Sequence, residues 1–205
     1  FLDAYPQVSA PGGQRIPAAN EAINQRVSKG ALIVNYTGHG GETSWAKEKV
    51  LEVADINSWT NYNRMPVFMT ATCEFSRYDD PERVSAGELV FLNPKGGGIA
   101  LFTTARPTLG NPNYNLSRNF YNIALQATSG QSPYLGDLIR ISKQMTGPGP
   151  NVKKFVLLGD PAMKMAYPTY SVETVAINGG DIIPGVADTL KALQSVTISG
   201  RITNA

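Results

Sequence analysis

Short apolar runs bounded by glycine or proline alternate with segments of helical periodicity along residues 1–167. Such runs are typical of strands that are buried in a parallel sheet. Three segments have this character: 32–36, 67–72 and 96–106, the last of which begins with a glycine turn. Between the first two, apolar residues recur at every third position over 50–59, which predicts a helix packed on the sheet. The order strand–helix–strand makes these two strands parallel, joined by a right-handed crossover.

Capping residues and helix stops predict further helices on both sides of these strands. The predicted starts are Asn20, Asp80 before a proline, Ser85 with Glu88, and Asn115. Another helix is predicted near 135–142, and glycines at 30 and 147 are expected to end the first and the last of them. The run 155–158 leads into a turn at 159–161, where Asp160 is interpreted as structural.

The pattern changes near residue 168, where strict alternation replaces helical periodicity. Alternating segments at 172–177 and 196–202 flank a turn at 178–181, which predicts two half-buried strands. The 38 residues from 168 to 205 are too few for a complete β-sandwich, which needs about 100. We therefore predict two parts, residues 1–167 and a truncated β segment at 168–205.

Composition narrows the classes of function. With 205 residues and 42% hydrophobic positions, the chain can form a sizeable core. A net charge of +2 without a basic run argues against a nucleic-acid partner, and no apolar stretch reaches the roughly 18 residues of a membrane span. A single cysteine excludes an intrachain disulfide. Because there is no initiator Met and no signal peptide at the start, we expect a piece of a longer protein.

The only histidine, His39, and the only cysteine, Cys73, each follow one of the first two predicted strands. Functional groups collect beyond the carboxyl ends of strands in open α/β sheets, so both side chains are expected at one cleft. A thiol becomes a ready nucleophile only beside a base or positive field, which an imidazole supplies. Gly40 and Gly41 offer backbone N–H groups for an oxyanion. The plainer interpretation is a buried, inert cysteine and an unrelated histidine.

Residues 35–45, Asn-Tyr-Thr-Gly-His-Gly-Gly-Glu-Thr-Ser-Trp, followed by Thr-Ala-Thr-Cys at 70–73, resemble the core of gingipain-type cysteine peptidases, family C25. The resemblance implies an α/β fold: a caspase-like three-layer sandwich with a mostly parallel sheet. Residues 1–167 would be the C-terminal part of the catalytic domain, and 168–205 the start of an immunoglobulin-like β module. By the same resemblance, His39 is the catalytic histidine and Cys73 the nucleophile. The amides of Gly40 and Cys73 would form the oxyanion hole.

The resemblance also implies that the loop after the third strand, Thr104, Ala105 and Arg106, lines the pocket for the residue before the scissile bond. No acidic residue occurs in this loop to receive a basic side chain, which argues against strict Arg or Lys specificity. A surface role for Arg106 stays open. Trp45 either walls a pocket or packs in the core, and packing is favoured.

Glu42 has two interpretations: it orients His39 or a substrate amine, or it lies in the first turn of a helix, and the helix is favoured. No cofactor is predicted, but calcium is left open because gingipain-like domains bind it. The carboxylates of Asp79, Asp80 and Glu82 lie close in sequence, but their spacing does not match an EF-hand loop. No third catalytic residue is identified.

Segments 3–6, 12–15, 74–80 and 158–161 resemble most closely the family members that act as sortases of type IX secretion. That resemblance implies an exported enzyme at the bacterial outer-membrane surface. Its partners would be the C-terminal sorting domains of secreted proteins, an anionic lipopolysaccharide acceptor and an outer-membrane barrel. Two alternatives stay open: a general secreted endopeptidase of the gingipain type, and a catalytically silent scaffold domain of the secretion machinery.

Overall fold

The computed structural model describes residues 4–125, 132–183, 185 and 189–204. Their contacts divide the chain into two compact units, residues 1–165 and 166–205, which are described separately. Assignment of these units to a catalytic domain and an immunoglobulin-like module stays a prediction. No helix in these ranges is both long and apolar enough to cross a membrane.

The first unit contains eight strands and six α-helices within its described residues. The strands are β1 (Val8–Ala10), β2 (Gly13–Arg15), β3 (Ile33–Thr37), β4 (Ser44–Trp45), β5 (Leu51–Glu52), β6 (Val67–Ala71), β7 (Ala100–Thr104) and β8 (Phe155–Leu158). The helices are α1 (Pro17–Lys29), α2 (Val53–Ser58), α3 (Ala86–Leu92), α4 (Gly110–Ala124), α5 (Leu135–Thr146) and α6 (Pro150–Lys153). A 3-10 turn at Tyr62–Arg64 precedes β6.

The central sheet has four strands in the order β3-β6-β7-β8. The first three are parallel, whereas β8 at the edge runs antiparallel to β7. All residues of β6 and β7 are buried, as their mostly apolar sequences predict for strands covered on both faces. The parallel pairing predicted from the apolar runs is therefore confirmed, whereas the predicted burial of the first run is wrong, because β3 lies at the edge of the sheet and is only partly buried.

Helices cover both faces of this sheet. On one face, Phe68 of β6 and Leu101 of β7 join a buried cluster with residues of α1, α2 and α3. On the other face, the ring of Phe102 packs at 5.4 Å from that of Phe155 and 5.8 Å from that of Phe120 in α4. Alternate residues of β7 thus point to opposite faces, and the unit is a three-layer α/β sandwich.

Three of the four predicted N-caps are wrong, and the first two concern α1 and α4. Helix α1 begins at Pro17, and Asn20 inside it donates instead to Val50 O at 3.1 Å and to Asp55 Oδ2 at 2.8 Å. Helix α4 begins at Gly110, so Asn115 lies in its interior. Asparagine is favoured at caps because its side chain bonds to nearby backbone, but at position 20 tertiary partners use it instead.

The other helix signals have mixed outcomes. Ser85 and Glu88 form the predicted capping box at the start of α3, and Gly30 and Gly147 follow the ends of α1 and α5 as predicted. No helix starts at Asp80, which lies in a turn region. There Asp80 Oδ1 accepts the amide of Glu82 at 2.9 Å, so this aspartate stabilises a local turn.

The second unit contains β9 (Tyr170–Ile177), β10 (Gly180–Asp181) and β11 (Ile198–Asn204) in an antiparallel sheet of order β10-β9-β11. The predicted strands and their turn are confirmed, with Val172 opposite Ile202 and a register shift at Ser199 and Gly200. Every residue of β11 is exposed, so its predicted half-burial is wrong. The described residues of this unit form one three-stranded layer and contain no second sheet against which β11 could bury a face.

Candidate active site

The register of β3 and β6 places His39 and Cys73 at equivalent positions. Thr37 and Ala71 are the last paired residues of these adjacent parallel strands, and the amide of Gly38 extends the pairing by donating to Ala71 O at 3.3 Å. His39 and Cys73 each lie two residues beyond that pair. Since adjacent strands are about 4.8 Å apart, both residues leave the same edge of the sheet side by side. His39 is exposed and Cys73 partly buried.

Gly40 lies against Thr72, the residue before the cysteine. A Cβ on Gly40 would lie 2.5 Å from Thr72 Oγ1 and 2.9 Å from Ser44 O, so no larger residue fits here without displacing its neighbours. Within the described ranges, the amides of Gly40 and Cys73 have no hydrogen-bond acceptor, whereas the Gly41 amide donates to Ser44 O at 3.0 Å. The close contact therefore brings two unused N–H groups to the same edge.

The backbone of His39 is held from two sides. Its carbonyl oxygen accepts the amide of Ala46 at 2.7 Å and the hydroxyl of Tyr36 at 2.6 Å. The Tyr36 ring stacks on Trp45 with centroids 4.5 Å apart, and burial raises the pKa of Tyr36 to about 12. Trp45 is 1% exposed and also packs near Phe75, so the favoured packing role of Trp45 agrees with its place in the core.

The sulfur of Cys73 lies against the backbone of Thr108. The amide of Thr108 donates to Sγ at 3.4 Å, and the thiol lies 3.8 Å from the carbonyl oxygen of the same residue. Thr108 is held in turn by its hydroxyl, which donates to Thr72 O at 3.0 Å and accepts from Asn113 Nδ2 at 2.9 Å. Asn151 donates to Asn113 Oδ1 at 3.0 Å, so two buried amides fix the loop beside the cysteine.

The chain turns sharply after Cys73. Glu74 has φ 52°, in the left-handed region that costs a residue with a Cβ about 1–2 kcal/mol. Surrounding contacts hold this turn: the amide of Ser76 donates to Thr104 O at 2.9 Å, and the amide of Gly87 donates to Phe75 O at 2.7 Å. The backbone at the cysteine is therefore fixed by the neighbouring strand and helix, as strained functional sites require.

The three residues predicted to line a substrate pocket differ in accessibility. Thr104 is buried, and its hydroxyl donates to Thr72 O, so its side chain holds the backbone of the residue before Cys73. Ala105 is also buried, and its amide donates to Lys154 O at 2.9 Å. Arg106 alone is exposed. Contact of any of the three with substrate stays a prediction, and Arg106 has the most accessible side chain for it.

Arg106 forms a bidentate ion pair with Asp79, a residue of the segment that follows Cys73. Nη1 donates to Oδ1 at 2.9 Å and Nη2 donates to Oδ2. The Arg106 guanidinium holds the pKa of the Asp79 carboxyl below its usual value. The loop 104–106 has no acidic residue of its own, but Asp79 from the neighbouring segment lies beside it. The charge of Asp79 is neutralised by Arg106.

Glu42 is not in a helix, and that favoured interpretation is wrong. It precedes β4, and its carboxylate contacts two arginines of the segment after Cys73: Oε1 accepts from Arg77 Nη1 at 2.9 Å, and Oε2 lies 3.2 Å from Arg83 Nη1. The hydrogen bond that Arg77 donates to Glu42 raises the pKa of the Arg77 guanidinium. Both carboxylate oxygens are thus engaged with the cysteine segment.

The carboxylates considered for calcium do not converge. Asp79 is paired with Arg106, and Asp80 accepts the Glu82 amide and lies 3.8 Å from Arg77. The described residues contain no group of three His, Cys, Asp or Glu side chains placed to hold a metal ion. The carboxylates of Asp79 and Asp80 are therefore engaged with other partners in the described residues, and the cofactor expectation, including calcium, stays a prediction.

Sequence reasoning missed several residues that support the site: Tyr36, Thr72, Arg77, Arg83, Thr108, Asn113 and Asn151. Tyr36, Thr72 and Arg77 lie within the motifs at 35–45, 70–73 and 74–80, and their closeness in sequence to His39 or Cys73 is a signal that could have marked them. The asparagines at 113 and 151 are far from the cysteine in sequence, and no local pattern marks them.

Comparisons with known proteins agree with this fold. The profile described as Peptidase family C25 matches residues 1–166. The crystal structure of the Arg-specific cysteine proteinase gingipain R (RgpB) has a TM-score of 0.64 and 16% identity over 76% of this chain. The complex of Porphyromonas gingivalis RgpB pro- and mature domains has a TM-score of 0.57 and 15% identity over 76% of this chain. A structure described only as a protease has a TM-score of 0.62 and 15% identity over 85% of this chain.

The matched region is an α/β sandwich of the gingipain, caspase-like class. The chain belongs to peptidase family C25. It spans 39–43% of the length of the solved structures that it matches. A search of curated proteins finds no match.

Proposed function

We propose that this chain carries the catalytic dyad of a cysteine peptidase, with Cys73 as nucleophile and His39 as proton donor to the leaving amine. The observation that carries the proposal is the register of β3 and β6, in which both residues lie two positions beyond the Thr37–Ala71 pair. Membership of peptidase family C25 supports it. A cysteine beside an imidazole is the arrangement that nucleophilic catalysis by a thiol requires.

In the first step, the Cys73 thiolate attacks the peptide carbonyl carbon, a C–S bond forms and the carbonyl oxygen becomes an oxyanion. The free amides of Gly40 and Cys73 donate to that oxygen. Collapse of the intermediate breaks the C–N bond, and His39 protonates the departing amine. The Thr108 amide, 3.4 Å from Sγ, donates to the thiolate before attack and again when the C–S bond of the acyl-enzyme breaks and the thiolate re-forms.

The second step decides between hydrolysis and transfer. If water attacks the acyl-enzyme, the product is a carboxylic acid, and if an amine attacks, a new amide bond forms. The sequence of residues 74–80, Glu-Phe-Ser-Arg-Tyr-Asp-Asp, resembles that of PorU, the sortase of type IX secretion. This resemblance supports transfer of the acyl group to an amine. On that basis, the cargo is a secreted protein whose C-terminal sorting domain is removed, and the acceptor is an anionic lipopolysaccharide.

The same resemblance supports a location at the bacterial outer-membrane surface, beside an outer-membrane barrel partner. The solved complex of the RgpB pro- and mature domains is a precedent within the family for association with a further domain. We expect the enzyme to act in an assembly with the outer-membrane barrel partner.

The test of the dyad is the pH dependence of Cys73 alkylation by iodoacetamide, followed by the mass of the Cys73 peptide, with His39→Ala alongside. We expect rapid labelling below pH 7 in the parent protein and much slower labelling in His39→Ala. Labelling that rises only near pH 8.5, the ordinary thiol value, with no effect of His39→Ala, would reject the dyad. The catalytically silent scaffold would then be the better description.

Transfer is tested separately with a cargo fragment that contains a C-terminal sorting domain and with an amine acceptor. A product joined to the acceptor supports the sortase, and cleavage of unrelated peptides with water as the only acceptor supports the general endopeptidase.

A further inference from the structure

The segments that follow His39 and Cys73 are joined by a carboxylate. Glu42 lies three residues after the histidine, and Arg77 lies four residues after the cysteine. The Glu42 side chain contacts Arg77 at 2.9 Å and Arg83 at 3.2 Å, each through a different oxygen. The Glu42 carbonyl oxygen also accepts the amide of Ala86, at the start of α3, at 2.6 Å. Three bonds from one residue therefore tie the two segments together.

The Glu42 carboxylate is shielded from solvent. Its side chain is 13% exposed, compared with 40% for Arg77 and 55% for Arg83. Partial burial strengthens the attraction relative to a pair in open water. It also makes loss of either charge costly, because the partner is left poorly compensated. A carboxylate that binds two guanidinium groups through separate oxygens has little freedom to rotate.

The segment 39–42 is thus fixed to the cysteine side at both ends. At one end, Gly40 rests on Thr72, the residue before Cys73. At the other end, Glu42 is paired with Arg77 and Arg83. Between these two points lies only Gly41, beside which there is open space. Without the ion pairs of the Glu42 carboxylate, the short histidine segment would be held on the cysteine side by the contact of Gly40 and by the backbone bond from the Ala86 amide to Glu42 O alone.

We propose that Glu42, through Arg77 and Arg83, is the positioning residue that sets the distance between His39 and Cys73. The inference rests on the proposed dyad and assigns to the acidic residue of the motif Gly-His-Gly-Gly-Glu a structural partner on the cysteine side. Glu42 touches neither the substrate nor the reacting atoms in this role. It acts by limiting the separation of two loops whose relative displacement by about 1 Å is enough to reduce catalysis strongly.

The experiment compares Glu42→Gln, Arg77→Gln and Arg83→Gln in the full-length protein. Each variant is made in two forms, one with His39 and one with His39→Ala. The alkylation rate of Cys73 at pH 6.5 is measured for both forms. The ratio of the two rates reports how far His39 activates the thiol. The matched control is Arg140→Gln, which breaks an ion pair of 2.9 Å with Asp137 on α5.

We expect the activation ratio to fall by about tenfold or more in Glu42→Gln and to stay unchanged in Arg140→Gln. In peptide assays, kcat should fall by a similar factor while KM changes by less than about twofold, since substrate contacts are intact. Arg77→Gln combined with Glu42→Gln should lose little more than Glu42→Gln alone, because Glu42→Gln already removes the ion pair with Arg77.

The outcomes separate this inference from the proposed dyad. A parent protein with a ratio near one rejects the dyad, and the positioning role is rejected with it. A high ratio in the parent that persists in Glu42→Gln rejects the positioning role alone. Should Glu42→Gln fail to fold, Arg83→Gln decides, because it removes one bond to an exposed arginine and leaves the Glu42–Arg77 bond in place.

Discussion

Gly40 and Thr72 are in such close contact that a Cβ on the glycine would lie 2.5 Å from the threonine hydroxyl oxygen. This hydroxyl is buried and has no hydrogen-bond partner within the described residues. Its position is therefore explained by packing on Gly40. The contact joins the segment of the histidine to the segment of the cysteine at the point where both present free amides. A glycine at position 40 is required for this approach.

Substitution of Gly40 by alanine should therefore impair both stability and catalysis. The added methyl group meets Thr72 Oγ1 and Ser44 O, and overpacking of this kind costs about 1–3 kcal/mol of unfolding free energy. The shift also moves the Gly40 amide away from the oxyanion, so kcat should fall by about 10²-fold or more. Chemical denaturation and peptide turnover measure the two effects.

Gly41→Ala is the matched control, because a Cβ at Gly41 has no atom within 4 Å. It should change the free energy of unfolding by less than about 0.5 kcal/mol. If the two alanine variants have equal stability and turnover, the close contact of Gly40 with Thr72 contributes neither to folding nor to catalysis.

Asn113 should affect the reactivity of Cys73, although it lies on helix α4. Asn113→Ala removes the donor to Thr108 Oγ1 and leaves Asn151 Nδ2 without its acceptor, which should cost about 1–3 kcal/mol in unfolding free energy. The Thr108 loop should then loosen, and alkylation of Cys73 should slow. Asn119→Ala on the same helix removes a bond to Thr146 Oγ1 and is the control. It should leave the alkylation rate unchanged, and an equal slowing in both variants would contradict a specific role for Asn113.

The sequence allowed the strands of the parallel sheet to be predicted because β6 and β7 are buried on both faces and are mostly apolar. The positions of His39 and Cys73 follow from the same logic, since strand ends are visible in the hydrophobic pattern. Helix starts were less predictable. The side chain of Asn20 has the chemistry of a cap, but it is bound to Asp55, a partner that only the tertiary fold reveals.

The supports of the site were not predictable for a similar reason. Glu42, Arg77 and Arg83 carry charges that suit either solvent or an ion pair, and local spacing does not distinguish the two. The pair of Arg106 with Asp79 joins positions that are 27 residues apart. Such pairs depend on the crossovers that bring loops together at the edge of the sheet, so they emerge only with the fold.

Arg106→Gln should change substrate preference. In the parent protein, Asp79 is neutralised by Arg106, which also keeps the pKa of Asp79 low. Loss of the guanidinium leaves an exposed carboxylate at a loop that is predicted to receive the residue before the scissile bond. We expect kcat/KM for Lys or Arg at that position to rise by about two- to fivefold relative to a neutral residue, as suits an exposed charge.

A peptide series that varies only this position measures the effect of Arg106→Gln. The double variant Arg106→Gln with Asp79→Asn is the control, because it removes the carboxylate as well and should lose the gain. An unchanged preference in Arg106→Gln would mean that Asp79 does not reach the substrate.

Two half-buried tyrosines predict how stability depends on alkaline pH. Burial raises the pKa of both Tyr36 and Tyr121 from 10.0 to about 12. The neutral phenol is therefore favoured in the folded state, and the unfolded chain loses its proton first. Between pH 10 and 12 the unfolded state binds fewer protons than the folded state, so the free energy of unfolding falls as pH rises. Below pH 10 this contribution is fully present.

Tyr36→Phe and Tyr121→Phe should each flatten this decline, by about 1 kcal/mol per tyrosine once solvent screening of a partly exposed ring is allowed for. Urea denaturation at pH 9 and pH 11 measures the difference. The two variants should differ at the active site, because only the Tyr36 hydroxyl donates to His39 O, at 2.6 Å. Tyr36→Phe should weaken the dependence of Cys73 alkylation on His39, whereas Tyr121→Phe should leave it intact. Equal alkylation behaviour in the two variants would show that the Tyr36 hydroxyl contributes to stability without positioning the histidine.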